Sequence, residues 1–182
     1  MPSNTLTLQS NRLLLRRFEQ DDLTNVYEGL SHPEVIKYYG VHYTSLEATR
    51  EQMAWFKELE EEGTGQWFAI CSLDNQCFYG GAGLNNIKKE HKRAEIGFWL
   101  LPAYWRQGII SEALPLICHY AFQQLDVHRI EGIVESKNIN SKNTFKRLGF
   151  QHEGTMVDCE IKDGQFISLD IFAMLRNTAM GQ

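Results

Sequence analysis

The 182-residue chain has no apolar run near the roughly 20 residues that span a bilayer. Its opening, MPSNTLTLQSNRLLLRRF, lacks the apolar stretch and small-residue cleavage site of a secretory signal. A cytoplasmic protein is the simplest expectation. Positive charge is not in excess: 18 Lys+Arg stand against 23 Asp+Glu, a formal net charge of −5. That argues against a general binder of phosphate backbones, so neither a nucleic-acid nor a membrane partner is expected. Cysteine is scarce. Cys71, Cys77, Cys118 and Cys159 form no CxxC pair and have no histidine at ligand spacing, so no metal is expected. Three lie in apolar runs and read as small buried hydrophobes, with Cys159 in a more polar setting. Proline is also scarce, at four residues, and no Pro/Gly/Ser linker, repeat or low-complexity stretch divides the chain. Residues 1–182 therefore read as one domain. The 43% hydrophobic and 12% aromatic content can offset chain entropy.

Hydrophobic patterning gives a mixed order of elements. Arg12 to Phe18 reads as a strand, and Gln20-Asp21-Asp22 as the start of a helix carrying Leu23, Val26, Tyr27 and Leu30. Thr44-Ser45-Leu46-Glu47 matches a capping box for a helix that stops at Gly63. Strands follow at 67–71, 78–87 and 94–101, then a helix over 108–125 with Pro115 inside it. Pro115 is expected to kink that helix near its first turns. A strand at 129–135, a helix at 139–148 and strands at 150–161 and 166–175 complete the order. The last two strands are joined by Lys162-Asp163-Gly164-Gln165. Periodicity supports an α/β (α+β) layer fold and nothing sharper.

Two segments carry chemistry. In Glu95-Ile96-Gly97-Phe98-Trp99-Leu100-Leu101-Pro102-Ala103-Tyr104-Trp105-Arg106-Gln107-Gly108-Ile109-Ile110-Ser111 a strand ends at proline and a glycine-bearing loop opens an apolar helix. Unpaired N–H groups at a helix start can hold a phosphate, with Gly108 allowing close approach and Arg106 adding charge. A plain strand–helix turn explains the same residues. It is not a nucleotide P-loop, because the glycine–lysine–serine/threonine ending is missing. In Asn138-Ile139-Asn140-Ser141-Lys142-Asn143-Thr144-Phe145-Lys146-Arg147-Leu148-Gly149-Phe150, the polar start, basic last turn and glycine stop suffice for an ordinary capped helix.

The two segments together, with the RLLLRRF opening and the tail EGTMVDCEIKDGQFISLDIFAML, resemble the GNAT superfamily of acetyl-CoA-dependent N-acetyltransferases. More narrowly, they resemble the RimJ/RimL-type group that acetylates protein N-terminal amines. The resemblance covers nearly the whole chain. It implies a mixed, mostly antiparallel seven-stranded sheet flanked by helices and splayed between its fourth strand (94–101) and fifth (129–135). Acetyl-CoA would lie in the splay as co-substrate, its pantetheine arm pairing with the backbone of Phe98, Trp99 and Leu100 as a missing strand would. The pyrophosphate would rest on Arg106, Gln107, Gly108, Ile110 and Ser111, and Asn138 and Asn143 match positions that touch the cofactor. Direct transfer to an amine is implied. A homo-oligomer is compatible with the family.

Departures from the pattern are Trp105 at the loop's opening, Ile110 where a small residue is usual, and Phe145 where tyrosine often serves as general acid. For the base, the resemblance nominates Glu160, with Glu95 on the cofactor strand as the alternative; Ser141 is the remaining donor to the departing thiolate. Each also has a plain reading: a solvated side chain, a cross-strand pair and a helix cap. An α-amine with a pKa near 8 is roughly a tenth neutral at pH 7, while lysine is neutral less than about once in a thousand. A modest base would serve an N-terminal acceptor. Polyamine, antibiotic and metabolite amines remain alternatives, as does a catalytically silent acyl-CoA-binding module.

Overall fold

The computed structural model describes residues 6–179. A short β1 (Thr7–Gln9) turns back to pair with β2 (Leu13–Arg16). A 3-10 turn at Gln20–Asp22 leads to α1 (Leu23–Ser31), α2 (Pro33–Ile36) and α3 (Leu46–Glu62). Then come β3 (Gln66–Ser72), β4 (Phe78–Lys88), β5 (Arg93–Leu100), α4 (Ile109–Gln124), β6 (Arg129–Glu135), α5 (Ile139–Arg147), β7 (Gln151–Lys162), β8 (Gln165–Leu175) and α6 (Arg176–Ala179). They build an eight-stranded sheet in the order β1-β2-β3-β4-β5-β6-β8-β7. Every neighbouring pair is antiparallel except β5 and β6. The strand beyond the seven expected is β1, too short to leave a periodic signal.

Two clusters bury the two sides of the sheet. On one, α4 packs Ile109, Ala113, Leu114, Ile117 and Ala121 against Leu13, Leu15, Phe68, Ile70 and Leu84, and Phe145 of α5 joins them. On the other, Val26 and Leu30 of α1 and Phe56 of α3 meet Trp67, Trp99 and Leu101. Trp67 and Phe68 go to opposite clusters, as alternation along a strand requires. Because β3 is covered on both faces, it reads as a continuous apolar run. Helix α4 runs unbroken through Pro115 from Ile109 to Gln124. Among the described residues, no helix is long and apolar enough to cross a membrane.

Local signals shifted in detail. The N-cap of α3 is Ser45, whose Oγ accepts from the Ala48 N–H at 3.1 Å, so the helix starts one residue after the Thr44 cap expected. Glu47 pairs instead with Arg50. Asp22 is the N-cap residue of α1 but makes no side-chain cap bond there, and instead closes a capping box with Glu19 at the preceding turn. It is buried, takes both Arg16 Nη atoms at 2.8 and 3.0 Å, and accepts the Glu19 N–H at 2.7 Å. Cys71 and Cys118 are buried, but Cys77 is exposed at a hairpin end rather than part of the core. Asp163 and Gly164 both have positive φ, +50° and +75°, the pattern of a type I′ turn joining β7 to β8.

The feature that positions the site is where β5 and β6 part. Their ladder holds only Arg93↔Arg129, Ala94↔Ile130 and Glu95↔Glu131, although β5 runs on to Leu100 and β6 to Glu135. Beyond Glu95 the sheet forks. Phe145 packs in the fork 5.6 Å from the Phe98 ring and directly over Gly132 of β6. A Cβ on Gly132 would lie 2.4 Å from Phe145 Cζ. Gly132→Ala is therefore expected to cost about 1–3 kcal/mol through overpacking. Urea denaturation followed by circular dichroism measures it, and an unchanged midpoint would show that Phe145 can move aside.

Candidate active site

Strand β5 exposes part of its backbone to the fork. The Leu101 N–H donates to the Tyr79 carbonyl at 2.9 Å, and Trp99 lies opposite Gly81. In an antiparallel ladder this register turns the backbone groups of Trp99 toward β4, and those of Phe98 and Leu100 toward the fork. Trp99 therefore cannot offer its backbone to a ligand there, and its ring is buried on the far face. That corrects its expected role. The backbone groups of Phe98 and Leu100 face the fork, and the Leu100 carbonyl already accepts the Trp105 indole N–H at 2.9 Å.

The loop beyond Leu100 ends in a glycine-capped helix start. Arg106 has φ +60°, and Gly108, with φ +74°, is the N-cap of α4. The first helical bond runs from the Glu112 N–H to the Gly108 carbonyl at 3.1 Å, so the N–H groups of Ile109, Ile110 and Ser111 precede it and have no partner within the helix. Arg106, Gln107, Gly108 and Ser111 are exposed and Ile110 is half-buried. Gln107 braces the loop, its Nε2 donating to the Ala103 carbonyl at 2.9 Å. Arg12, expected only as the start of a strand, stands beside them. Arg12 Nη2 donates to the Gln107 carbonyl at 2.9 Å and would lie 3.4 Å from a Cβ on Gly108. Its Nε pairs with Glu112 at 2.6 Å. Burial alone would raise the Glu112 carboxyl, but hydrogen bonds from Ser10 and Arg12 hold it below its ordinary value.

The candidate acid–base residues divide between two places. Glu95 shares a face with Trp99, the α1–α3 side, and is the last residue paired before the fork. It is half-buried and accepts from Asn86 Nδ2 at 2.8 Å. Its neighbour Glu131 is answered by Arg93 and Arg129, whereas among the described residues no cation pairs with Glu95. Glu160 is exposed on edge strand β7, with β8 between it and β6. Among the described residues nothing holds it. Ser141 lies in the first turn of α5, where its N–H donates to Asn138 Oδ1 at 3.1 Å. Asn138 is thus a helix cap first. Asn143 is exposed; two residues from buried Phe145, it lies on the opposite side of α5.

Helix α5 is tied to the sheet by a buried ion pair. Lys142 Nζ lies 2.5 Å from Asp170 Oδ2 and donates to the Ser136 carbonyl at 3.2 Å. Thr155 Oγ1 donates to Asp170, and His152 Nε2 lies 3.4 Å from it. Burial alone would raise the Asp170 carboxyl; hydrogen bonds from Lys142, Thr155 and His152 outweigh it and hold the group well below the carboxylate range. Among the described residues, no cluster of three or more His, Cys, Asp or Glu could hold a metal ion.

A family profile described as "Acetyltransferase (GNAT) domain" matches residues 12–151. An uncharacterized N-acetyltransferase, p20 of Bacillus licheniformis, is 34% identical over 96% of this chain and 99% of its own length. The ribosomal-protein-serine acetyltransferase of Escherichia coli is 29% identical over 72% of each chain. The crystal structure of spermidine N-acetyltransferase from Vibrio cholerae, in complex with CoA and spermine, superposes with a TM-score of 0.83 at 19% identity. It covers 94% of this chain and 100% of that one.

The Asp170 network gives a test of its own. Because the folded carboxyl lies below its ordinary value of 3.8, its stabilisation is present above that pH and is lost as pH falls through the folded value. Asp170→Asn should cost about 3 kcal/mol at pH 7, the cost of breaking a buried pair. In chemical denaturation the gap between variant and wild type should hold down to about pH 5 and narrow below about pH 4. A gap independent of pH would assign the loss to packing.

Proposed function

The chain belongs to the GNAT acetyltransferase family and is an N-acetyltransferase, and from that premise we propose that it moves an acetyl group from acetyl-CoA directly to a primary amine, a protein N-terminal α-amine by preference. The observation that carries this reading is the open edge of β5 at Phe98 and Leu100, which leads straight into the glycine-capped start of α4. The residues present fit the cofactor. Unpaired strand groups suit the amides of a pantetheine arm. The N–H groups of Ile109, Ile110 and Ser111, with Arg106 and Arg12 close by, suit a pyrophosphate. Acetyl-CoA, when bound, supplies an activated thioester. The free cysteines suit the reducing cytoplasm expected for such an enzyme.

The chain's own part is to hold the amine, take its proton and polarise the carbonyl. Glu95 is half-buried, held by Asn86 and without a cation, so it attracts an ammonium and can accept the proton released as the amine attacks. Glu160, the residue the resemblance nominates, stands further out, exposed on edge strand β7. The Phe98 and Leu100 N–H groups, aimed into the fork, are donors suited to a developing oxyanion. Ser141 is the hydroxyl donor nearest the start of α5 for the departing thiolate. The acceptor preference is supported by the 29% identical ribosomal-protein-serine acetyltransferase. A spermidine N(1)-acetyltransferase of Escherichia coli is also a relative, 25% identical over 84% of this chain, so a polyamine is the second reading.

A thiol-release assay over N-terminal peptides, polyamines and aminoglycosides tests the reading. Turnover of peptides is the expected result; acetyl-CoA binding without turnover of any amine would favour a silent binding module. Glu95→Gln should lower kcat/KM by roughly 10²-fold or more at pH 6 and recover partly at pH 9, where more acceptor is already neutral. If Glu160→Gln shows that pattern instead, the proton leaves from the outer rim.

Gly108→Glu should abolish acetyl-CoA binding in calorimetry while the chain stays folded. The added carboxylate repels the pyrophosphate and lies within reach of Arg12, and the left-handed backbone adds roughly 1–2 kcal/mol of strain. Unchanged affinity would remove the cofactor assignment.

A further inference from the structure

The fork separates the molecule into two lobes, β1 to β5 with α1 to α4 on one side and β6, β8 and β7 with α5 on the other. The chain between α2 and α3, residues 37–45, belongs to the first lobe. The Tyr43 N–H donates to the Leu30 carbonyl at 2.9 Å, and Tyr39 packs on the Val26, Leu30, Trp67 and Trp99 cluster. That is the face of the sheet on which Glu95 stands. Burial, then Tyr43, then Glu95 push the Tyr39 phenol above its ordinary value.

One side chain crosses from the other lobe to this segment. Lys162, at the tip of the β7–β8 hairpin, donates from Nζ to the Lys37 carbonyl at 2.5 Å and lies 3.2 Å from Glu135 Oε2 at the end of β6. Lys37 is the C-cap of α2, so its carbonyl sits at a helix end where carbonyls lack helical partners and an ammonium is favoured. Among the described residues this is the only hydrogen bond between residues 32–45 and the second lobe. The Glu135 side chain, 10% exposed, anchors the ammonium from below.

We propose that Lys162 is a positioning residue for the acceptor: by capping α2 from the far side of the fork, it holds residues 37–43, Tyr39 included, over the face that carries Glu95. The amine site is then assembled from both lobes, and the acceptor rather than the cofactor senses the tie. This rests on the acetyltransferase reading above. A partly exposed ion pair contributes little to global stability, so its effect should appear in acceptor kinetics rather than in melting.

Lys162→Met keeps the stem and removes the ammonium. It should raise the acceptor KM roughly tenfold, as loss of one charge-assisted hydrogen bond implies, while the acetyl-CoA KM stays within about twofold. Lys162→Arg should restore most of the acceptor affinity. Backbone hydrogen exchange over residues 37–44 should quicken in Lys162→Met and not in Lys162→Arg. An equal rise in both KM values with a lower Tm would overturn the proposal and leave Lys162 a structural contact. Unchanged acceptor KM with unchanged exchange would overturn it as well. If wild type acetylates no amine, the acetyltransferase reading fails, and exchange alone judges the tie: no change over 37–44 sinks it.

Discussion

Among the described residues, three parallel pairs between β5 and β6 are the only ladder joining the two halves of the sheet, and its shortness opens the fork in which the candidate site lies. A longer ladder would satisfy the backbone of Phe98 and Leu100 and close the fork. A buried backbone group left unpaired costs about 1–3 kcal/mol, so an open strand edge inside a fold persists only where something else meets it. The Trp105 indole takes the Leu100 carbonyl. The remaining groups at Phe98 face the fork from a half-buried residue and keep their capacity for a ligand.

On the proposed function, the same strand would keep the two substrates apart. Even-numbered residues of β5, Ala94, Ile96, Phe98 and Leu100, pack on the side of α4 and α5. Odd-numbered ones, Glu95 and Trp99 among them, belong to the side of α1 and α3. An acyl donor lying between α4 and α5 and an amine arriving under α1 to α3 would meet only where the sheet is open. Glu95 stands at that opening because it is the last residue of the ladder. Glu131 beside it is neutralised by two arginines, which leaves one unanswered carboxylate there rather than two.

Local chemistry made part of this legible in the sequence. Pro102 and Gly108 bracket a loop whose form they largely dictate, and Asp163-Gly164 specifies its own turn. The capping pattern at Thr44 falls one residue short of the cap, because Ser45 offers the same hydroxyl and the first turn of α3 decides between them. Trp99 could not be separated from Phe98 and Leu100 without the register against β4. What stayed hidden is long-range. Arg12 beside Gly108, Lys142 on Asp170 and Lys162 on Lys37 join residues far apart in the chain, and no spacing rule links them.

Phe145 shows how the packing bears on the chemistry. Read as a missing tyrosine, it suggests a site without its acid. In the fold its ring is 2% exposed, stacked on Phe172, set edge-on to Phe150, tilted against Phe98 and pressed onto Gly132. The side chain therefore holds α5 against both arms of the fork. A hydroxyl on a ring packed this tightly would need its own partner, at a cost of about 1–3 kcal/mol if left without one. Phenylalanine avoids that cost and keeps the floor of the fork apolar. On the proposed mechanism, proton handling would then fall to groups at the margins, Glu95 at the base of the fork and Ser141 at the head of α5. A thiolate that leaves readily lets a site so arranged do without a phenol.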